Sequence, residues 1–466
     1  MRAASTLALR WQAPLQSPSY LRGDSPPRVF RLDVNGDGRE EVCAQLGRTF
    51  VALSGGGVAA ERGEAFVAPL PPGPNGEVRW VEAEERGDLS LRENGREIWT
   101  RPLGRRRFSL IGGHLDYEGE WSHSPYRGVG PYVQEHRVVH LTTVHPSPRG
   151  EPVVLVILAD GRALLFDLNG ALRRSLVLLR GSFSDAMTLA PAPDAPDAAG
   201  QYVVQAQCTY RQRLRFWRRG VHEAFVMLLE GDRVIDKRWK NPLSHRIPGQ
   251  PGRYVTVSGD DILEWQGRRI RPAGTRRSEP SRRWVVRDVE DPAAGLEFTE
   301  DRRRGEALAV RLPNGDELWT VPWPHGAERV SDVVGSLSRV DGVQYVALLV
   351  EFQRHLAQYD TDVAFRQALV LRIDGTILAR EEFDGQSTVK VDSRCLPVVV
   401  DLDGRGHPQL VIATHEMLFA WDFSRRPDAG GQALAEPSAW DTDTPPLPPE
   451  DLWSIDLVGS VPGGEA

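Results

Sequence analysis

The sequence predicts an all-β protein: a single β-propeller of seven or eight four-stranded blades, its ring closed by the N-terminal strand. Three observations carry this. No run of a dozen residues places apolar side chains at i, i+3, i+4 and i+7 between proper caps, so helices are not expected. Apolar runs of four to eight residues, rich in Val, Leu and aromatics, recur along the chain between Gly, Pro, Asp and Asn. And a motif repeats. Trp11-Gln-Ala-Pro-Leu15 returns as Trp99-Thr-Arg-Pro-Leu103, Trp239-Lys-Asn-Pro-Leu243 and Trp319-Thr-Val-Pro-Trp323. The spacings of 88, 140 and 80 residues are near multiples of a blade period of ~40–50 residues.

The elements follow in order. Leu7 to Leu15 carries the motif but has no blade of its own, so it is expected to pair with the last blade. Val29 to Leu32 and Val42 to Leu46 flank a polar loop. Glu93-Asn94-Gly95, Glu230-Gly231-Asp232 and Pro313-Asn314-Gly315-Asp316 precede three of the motif tryptophans. Such turns supply the positive φ of a tight hairpin. The proline after each tryptophan suits an outer edge strand, where a ladder donor can be lost. Val153 to Leu158 and Ala163 to Phe166 lead to a related hairpin without tryptophan, Asp167-Leu-Asn-Gly170. Tyr345 to Val350 and Ala368 to Leu371 lead to another, Ile373-Asp-Gly375. The last blade shows three strands, Val398 to Val400, Leu410 to Ala413 and Met417 to Trp421.

These signals divide the chain near 26–65, 76–103, 130–178, 181–243, 250–272, 282–323, 328–384 and 390–425. The count is eight, or seven if 250–272 belongs to a neighbour. Residues 1–425 are thus expected to form the propeller. Residues 426–466, rich in Pro, Asp, Ala and Gly, are expected to be a largely disordered tail, with one apolar patch at Leu452 to Val458. Insertions are expected at 70–75, 191–200 and 273–281.

Composition agrees and excludes several classes. The 466 residues include 45 glycines and 35 prolines, which suit many turns, and 13 tryptophans, four of them in the motif. Lysine occurs only at Lys237, Lys240 and Lys390, so arginine supplies the rest of the 57 basic residues and is not functional by default. A net charge of −7 exerts no global pull toward nucleic acid or anionic membrane. No apolar run approaches the ~18–20 residues of a membrane span. The N-terminus does not resemble a secretory leader. Cys43, Cys208 and Cys395 are odd in number and far apart, which fits neither a disulfide framework nor a zinc site. A cytoplasmic location is expected, with an extracellular one as the alternative.

The strongest local signal is Asp33-Val-Asn35-Gly-Asp37-Gly-Arg39-Glu-Glu41, lying between two strands. Oxygen side chains stand at alternate positions, a glycine permits the bend, and a carboxylate closes the run. Such hard ligands suit Ca²⁺. The flanking strands, and Ala44 where an EF-hand needs a bidentate Glu, exclude an EF-hand. An Asx-turn loop with no ion is the alternative. The segment resembles the calcium loop of the integrin-type FG-GAP (VCBS-like) repeat, whose copies build propeller blades. The resemblance covers about 30 residues. It implies Asp33, Asn35, Asp37 and Glu41 as side-chain ligands and Arg39 as a carbonyl ligand of one Ca²⁺ that braces the blade. A degenerate copy, Asp401-Leu-Asp403-Gly-Arg405-Gly-His-Pro-Gln409, has arginine and glutamine at two carboxylate positions. It is expected to hold no metal, the Arg405 guanidinium replacing the ion's charge. Weaker echoes are Pro148-Arg-Gly-Glu-Pro152 and Val340-Asp-Gly-Val-Gln344.

Five of the 11 histidines fall between His114 and His145. His136 and His140 read as strand residues ~13 Å apart, too far for one ion. The surrounding loop, 112–136, carries Tyr117, Trp121, Tyr126 and Tyr132 with several acids, which suits carbohydrate or peptide contact. Arginines cluster at Arg105 to Arg107, Arg211 to Arg219, Arg276 to Arg283 and Arg302 to Arg304. Only the second interleaves aromatics, Phe216 and Trp217, as a single-strand nucleic-acid site would. No nucleophile elbow, P-loop or zinc-protease motif is present. The expected function is therefore non-enzymatic: a scaffold whose ring-face loops recognise a protein or glycan. A calcium-dependent polysaccharide lyase or glycoside hydrolase is one alternative, and nucleic-acid binding through Arg211 to Arg219 another.

Overall fold

The computed structural model describes residues 5–15, 28–47, 49–63, 65–84, 88–103, 105–108, 132–135, 138–146, 150–178, 182–189, 200–213, 218–239, 242–248, 250, 252–257, 261–275, 282–301, 307–312, 316–323, 327–356, 361–383, 395–414 and 417–423. Among them there is no helix, and so none long and apolar enough to cross a membrane. The 112–131 part of the histidine-rich loop and the 426–466 tail lie outside the described residues.

The chain opens with β1 (Ser5–Pro14). Blade I is β2 (Arg28–Leu32), β3 (Glu41–Leu46), β4 (Thr49–Ser54) and β5 (Gly57–Arg62). Blade II is β6 (Ala65–Pro69), β7 (Arg79–Glu84), β8 (Leu89–Glu93) and β9 (Arg96–Arg101). A separate hairpin follows, β10 (Arg105–Phe108) with β11 (Tyr132–Glu135). Blade III is β12 (Val138–Val144), β13 (Val153–Leu158), β14 (Arg162–Phe166) and β15 (Leu172–Val177). Blade IV is β16 (Ser182–Leu189), β17 (Gln201–Arg213), β18 (Arg218–Glu230) and β19 (Arg233–Trp239). Blade V is β20 (Leu243–Arg246), β21 (Arg253–Thr256), β22 (Asp261–Gln266) and β23 (Arg269–Thr275). Blade VI is β24 (Arg283–Asp288), β25 (Gly295–Asp301), β26 (Ala307–Arg311) and β27 (Glu317–Pro322). Blade VII is β28 (Arg329–Val340), β29 (Val343–Leu356), β30 (Thr361–Arg372) and β31 (Ile377–Phe383). Blade VIII is β32 (Leu396–Val400), β33 (Gln409–Ala413) and β34 (Met417–Phe423), completed by β1, which pairs antiparallel with β34 from Leu7↔Phe423 to Pro14↔Met417. The ring therefore has eight antiparallel four-stranded blades.

The short 250–272 piece is a blade in its own right, because Leu243 to Arg246 supplies its inner strand. Leu243 thus belongs to blade V, not to the end of blade IV. Blade II likewise begins at Ala65, not near 76: the sequence division ended the first segment at Ala65 and left 66–69 in no blade, whereas Ala65 to Pro69 pairs with β7.

Apolar clusters glue seven of the seams between blades. Val144, Leu155 and Ile157 of blade III pack with Phe183, Phe225 and Met227 of blade IV, for example. Leu46, Val51 and Leu53 of blade I pack with Val398, Val411 and Leu418 of blade VIII, closing the circle. Among the described residues the seam between blades V and VI is fastened by polar groups instead. His245 bridges Ser244 (Nδ1···Oγ 2.9 Å) and Glu297 (Nε2···Oε1 3.1 Å), and both members of the latter pair are 1% exposed. Arg287 donates to Ser244 Oγ at 3.0 Å and to the Pro292 carbonyl at 3.0 Å, and Arg246 pairs with Asp291. Burial pushes the Arg287 guanidinium down to about 10.

Side chains also tie backbone to backbone across seams. Gln45 of β3 donates to the Ala65 carbonyl (2.9 Å) and accepts from the Val67 N–H (3.0 Å) on the inner strand of blade II. Gln205 of β17 does the same to Leu243 on the inner strand of blade V, at 2.8 and 2.9 Å. Ser336 and Ser338 of β28 donate to the Pro397 and Val399 carbonyls of β32. Burying a peptide group without a partner costs about 1–3 kcal/mol. Gln45→Leu fills similar space but strands both Ala65 O and Val67 N, so it is expected to destabilise the ring by about 2 kcal/mol or more. Thermal melting of the variant against the parent protein checks this.

Candidate functional site

Antiparallel alternation places every turn between first and second strands, and between third and outer strands, on one ring face. The Asp33 to Glu41 loop is such a first turn, joining β2 to β3. The three echoes occupy the matching turn of other blades: Asp401 to Gln409 in blade VIII, Pro148 to Pro152 in blade III and Val340 to Gln344 in blade VII.

The Asp33 loop is built by its own hydrogen bonds. Asp33, 7% exposed, accepts from the N–H groups of Gly36 (2.7 Å), Asp37 (3.1 Å) and Gly38 (2.8 Å). Gly36 and Gly38 take φ of +77° and +82°, which favours glycine there. Glu41, 4% exposed, accepts from the Val34 N–H at 2.9 Å and from the Asn35 amide at 2.7 Å. That amide also donates to Asp37 Oδ2 at 3.3 Å. Asn35, Asp37 and Arg39 are exposed, and the Arg39 N–H donates to Asp37 Oδ1 at 2.8 Å. Desolvation, then the charges of Asp33 and Asp37, pushes the Glu41 carboxyl above its ordinary range. Among the described residues no three His, Cys, Asp or Glu side chains converge closely enough to hold a metal. The residues nevertheless fit a cation chemically. Asp33, Asp37 and Glu41 with the Asn35 amide are hard oxygen donors of the kind Ca²⁺ takes, here held by backbone N–H groups and by the Asn35 amide protons that bridge Asp37 and Glu41. The loop abuts blade II, where a Cβ on Gly36 would lie 3.2 Å from the Asn94 carbonyl.

The degenerate loop has the same scaffold. Asp401 accepts from Arg405 (3.2 Å) and Gly406 (2.7 Å), and Gln409 Oε1 accepts from Leu402 N–H (2.8 Å), just as Glu41 accepts from Val34. Its charge is balanced differently from the sequence expectation. Arg10, from the N-terminal strand, forms the paired bonds to Asp403 (2.7 and 2.8 Å) and also donates to the Gly55 carbonyl of blade I at 2.8 Å. Arg405 only adds its field. The Arg10 bond holds the Asp403 carboxyl below its ordinary range.

Arg10 is aimed by a bulge. In β1 the register jumps from Leu9↔Trp421 to Trp11↔Ala420, leaving Arg10 as the extra residue. Every pairing of a third with an outer strand contains one such shift. In blades II and VI the extra residue also precedes the motif tryptophan: Ile98 before Trp99, and Leu318 before Trp319.

The motif tryptophans of these two blades meet the tryptophan-free hairpins of the next. Trp99 Nε1 donates to the Leu168 carbonyl at 3.1 Å and Trp319 Nε1 to the Ile373 carbonyl at 2.8 Å. Gly170 and Gly375 sit beneath the rings with φ of +78° and +86°; a Cβ would lie 2.8 and 2.7 Å from ring atoms. Trp11 Nε1 is buried with no partner among the described residues, and Arg10 makes the corresponding bond to the neighbouring turn.

His140 lies in β12 as expected, its Nε2 3.2 Å from Thr188 Oγ1. Burial, then the charge of Arg28, drives its pKa well below the usual value, so the ring is neutral at pH 7. His136 lies outside the described residues. Of the Arg211 to Arg219 stretch, Arg211 to Arg213 and Arg218 to Arg219 end the described β17–β18 ladder, with Arg211↔Gly220 and Arg213↔Arg218 in register, and 214–217 lie outside the described residues.

A folded-state pKa depressed at Asp403 contributes stability that is present above the ordinary aspartate value and lost as pH falls through the folded one. Arg10→Met should therefore lower stability by about 1–3 kcal/mol at pH 7 and blunt the loss seen between about pH 4 and lower values. Melting temperature against pH, for both proteins, checks it.

No protein-family model matches the sequence, and no curated protein matches it. Solved structures similar to it include BBS1N in complex with ARL6DN, at 11% identity over 91% of this chain and 99% of that one, TM-score 0.43. BamB from Moraxella catarrhalis is 11% identical over 90% of this chain and 100% of that one, TM-score 0.39. The Dos1 propeller is 11% identical over 68% and 72%, TM-score 0.34. The strand order alone establishes the propeller.

Proposed function

We propose that this chain is a non-enzymatic binding propeller that engages a protein partner through one ring face. The observation behind this reading is a set of three two-stranded arms on the face opposite the Asp33 loop. The β17–β18 ladder runs to Arg213↔Arg218, but β16 reaches only Thr209 and β19 ends opposite Phe225. The β29–β30 ladder runs to Leu356↔Thr361, beyond Gln353 and Arg366 where the neighbouring strands stop. The β10–β11 hairpin stands between blades II and III. All three arise at connections between second and third strands or between blades, which share a face. A bare two-stranded ribbon is marginal in water, and a partner strand or surface would stabilise it. The Arg-rich sequence of the β17–β18 arm favours an acidic protein over a neutral glycan. Nucleic acid is the rival reading for that arm.

On the other face, the Asp33 loop is proposed as an FG-GAP-type Ca²⁺ site with Asp33, Asn35, Asp37 and Glu41 as side-chain ligands and the Arg39 carbonyl as another. The support is the contrast with blade VIII, where the same scaffold has a guanidinium on its third-position carboxylate and one fewer acid at the ligand positions. The cation would brace blade I against blade II.

Two outcomes are expected. Calcium at a hundredfold excess over Kd should stabilise the protein by about 2.7 kcal/mol, and Asp37→Ala should remove both the binding and the stabilisation. Calorimetric titration after chelator treatment checks this; an unaltered titration in the variant refutes the ligand set. Replacing residues 211–220 by Asn-Gly should leave the melting temperature within a few degrees while abolishing recovery of an acidic protein from the native host. A salt-sensitive gel shift with single-stranded DNA or RNA would favour the rival instead.

A further inference from the structure

The inner strands enclose a cavity of about 490 Å³ on the ring axis, in the size range of small-ligand sites. Its wall comes mainly from the inner strands of blades I, II, III, VII and VIII and from the β24–β25 turn of blade VI, mostly nearest the Asp33 face. Three guanidinium-bearing residues line it: Arg28 and Arg31 from β2 and Arg339 from β28. None is paired with a carboxylate by a hydrogen bond among the described residues. Arg28 has one long bond, 3.4 Å to the Val67 carbonyl, and Arg31 donates to the Asp401 carbonyl at 2.6 Å.

Two carboxylates, Asp401 and Glu290, line the cavity as well, and Asp288 stands within the field of Arg339. Asp401 lines the cavity, but its carboxylate accepts from Asp403, Arg405 and Gly406 N–H groups. Asp288 accepts from the Glu290 and Asp291 N–H groups. Glu290, exposed at the rim, is the second lining carboxylate. Burial with no opposing charge pushes Arg28 down to about 10 and keeps His140 neutral beside it. The lining thus carries three guanidinium groups against the Asp401 and Glu290 carboxylates, an excess of one positive charge, with Arg28 half-buried and Arg31 and Arg339 exposed.

We propose that this axial cavity is a binding site for a small multivalent anion, a phosphoryl- or polycarboxylate-bearing metabolite, held by Arg28, Arg31 and Arg339. Guanidinium groups suit both classes, because the planar fork matches carboxylate and phosphoryl oxygens alike. The hydroxyls of Thr142 and Thr143, also in the wall, add neutral donors. The site is independent of the protein-binding arms, which stand on the other face.

Calorimetric titration of the full-length protein tests this, with pyrophosphate and with citrate as probes, in calcium-free buffer at fixed ionic strength. One of the two should bind saturably with a Kd on the order of 1 mM or tighter. A preference for pyrophosphate marks a phosphoryl ligand and a preference for citrate a polycarboxylate. Arg339→Gln should weaken binding about tenfold and Glu290→Gln should tighten it about threefold or more. Both residues are exposed, so these variants keep the test valid if Arg28→Gln fails to fold. Absence of saturable binding by either probe, or unchanged affinity in either exposed variant, overturns the proposal.

Discussion

A propeller stands or falls on its seams. Each blade is a small sheet with two open edges and two faces, and none can bury enough surface alone. The faces are covered by neighbours through the apolar clusters. The inner edges pose the harder problem, because peptide groups near the axis lie away from bulk water. Gln45, Gln205, Ser336 and Ser338 answer it by lending side-chain donors and acceptors to the strand next door. The seam between blades V and VI goes furthest, replacing grease by a closed array around His245, Glu297 and Arg287. Such an array is directional where apolar packing is not, and it fixes the relative rotation of the two blades.

Much of the architecture was legible because strands and turns are local. Val153 to Leu158 is apolar at every position and is buried on both faces, as a central blade strand must be. The Trp-x-x-Pro motif marked outer strands, and the N-terminal copy was rightly read as a strand in search of a blade. The boundaries that slipped, at Ala65 and Leu243, did so because inner strands here are only four or five residues long and follow their predecessors almost without a turn. The motif tryptophans and the Asp167 and Ile373 hairpins were both visible, yet nothing in the sequence said that one half of the pattern docks on the other.

The two polar loops show where a sequence reading runs out. Their backbones are nearly superimposable in hydrogen bonding, so Asp33 and Asp401 perform the same structural task. Their electrostatics diverge through a residue almost four hundred positions away. Arg10 carried no signal of its own: its role follows from a bulge that singles out the residue before the motif tryptophan in β1, β9 and β27. At the matching positions Ile98 and Leu318 face solvent, and of these three bulge positions only the N-terminal one carries a charge. The axial arginines were invisible for a similar reason, since Arg28 and Arg339 meet only when the ring is closed.

That closure also has a mechanical meaning. Leu7 lies opposite Phe423, so both free ends of the described chain leave the same end of the β1–β34 ladder. Tension applied between the termini would load this ladder in peeling geometry, one rung at a time, and not in shear across all rungs together. The Arg10 contacts lie only three residues in from Leu7, where a travelling rupture arrives early. The ring should therefore resist heat collectively but open to a pull from its ends at comparatively low force, like a zipper with a catch near its first teeth.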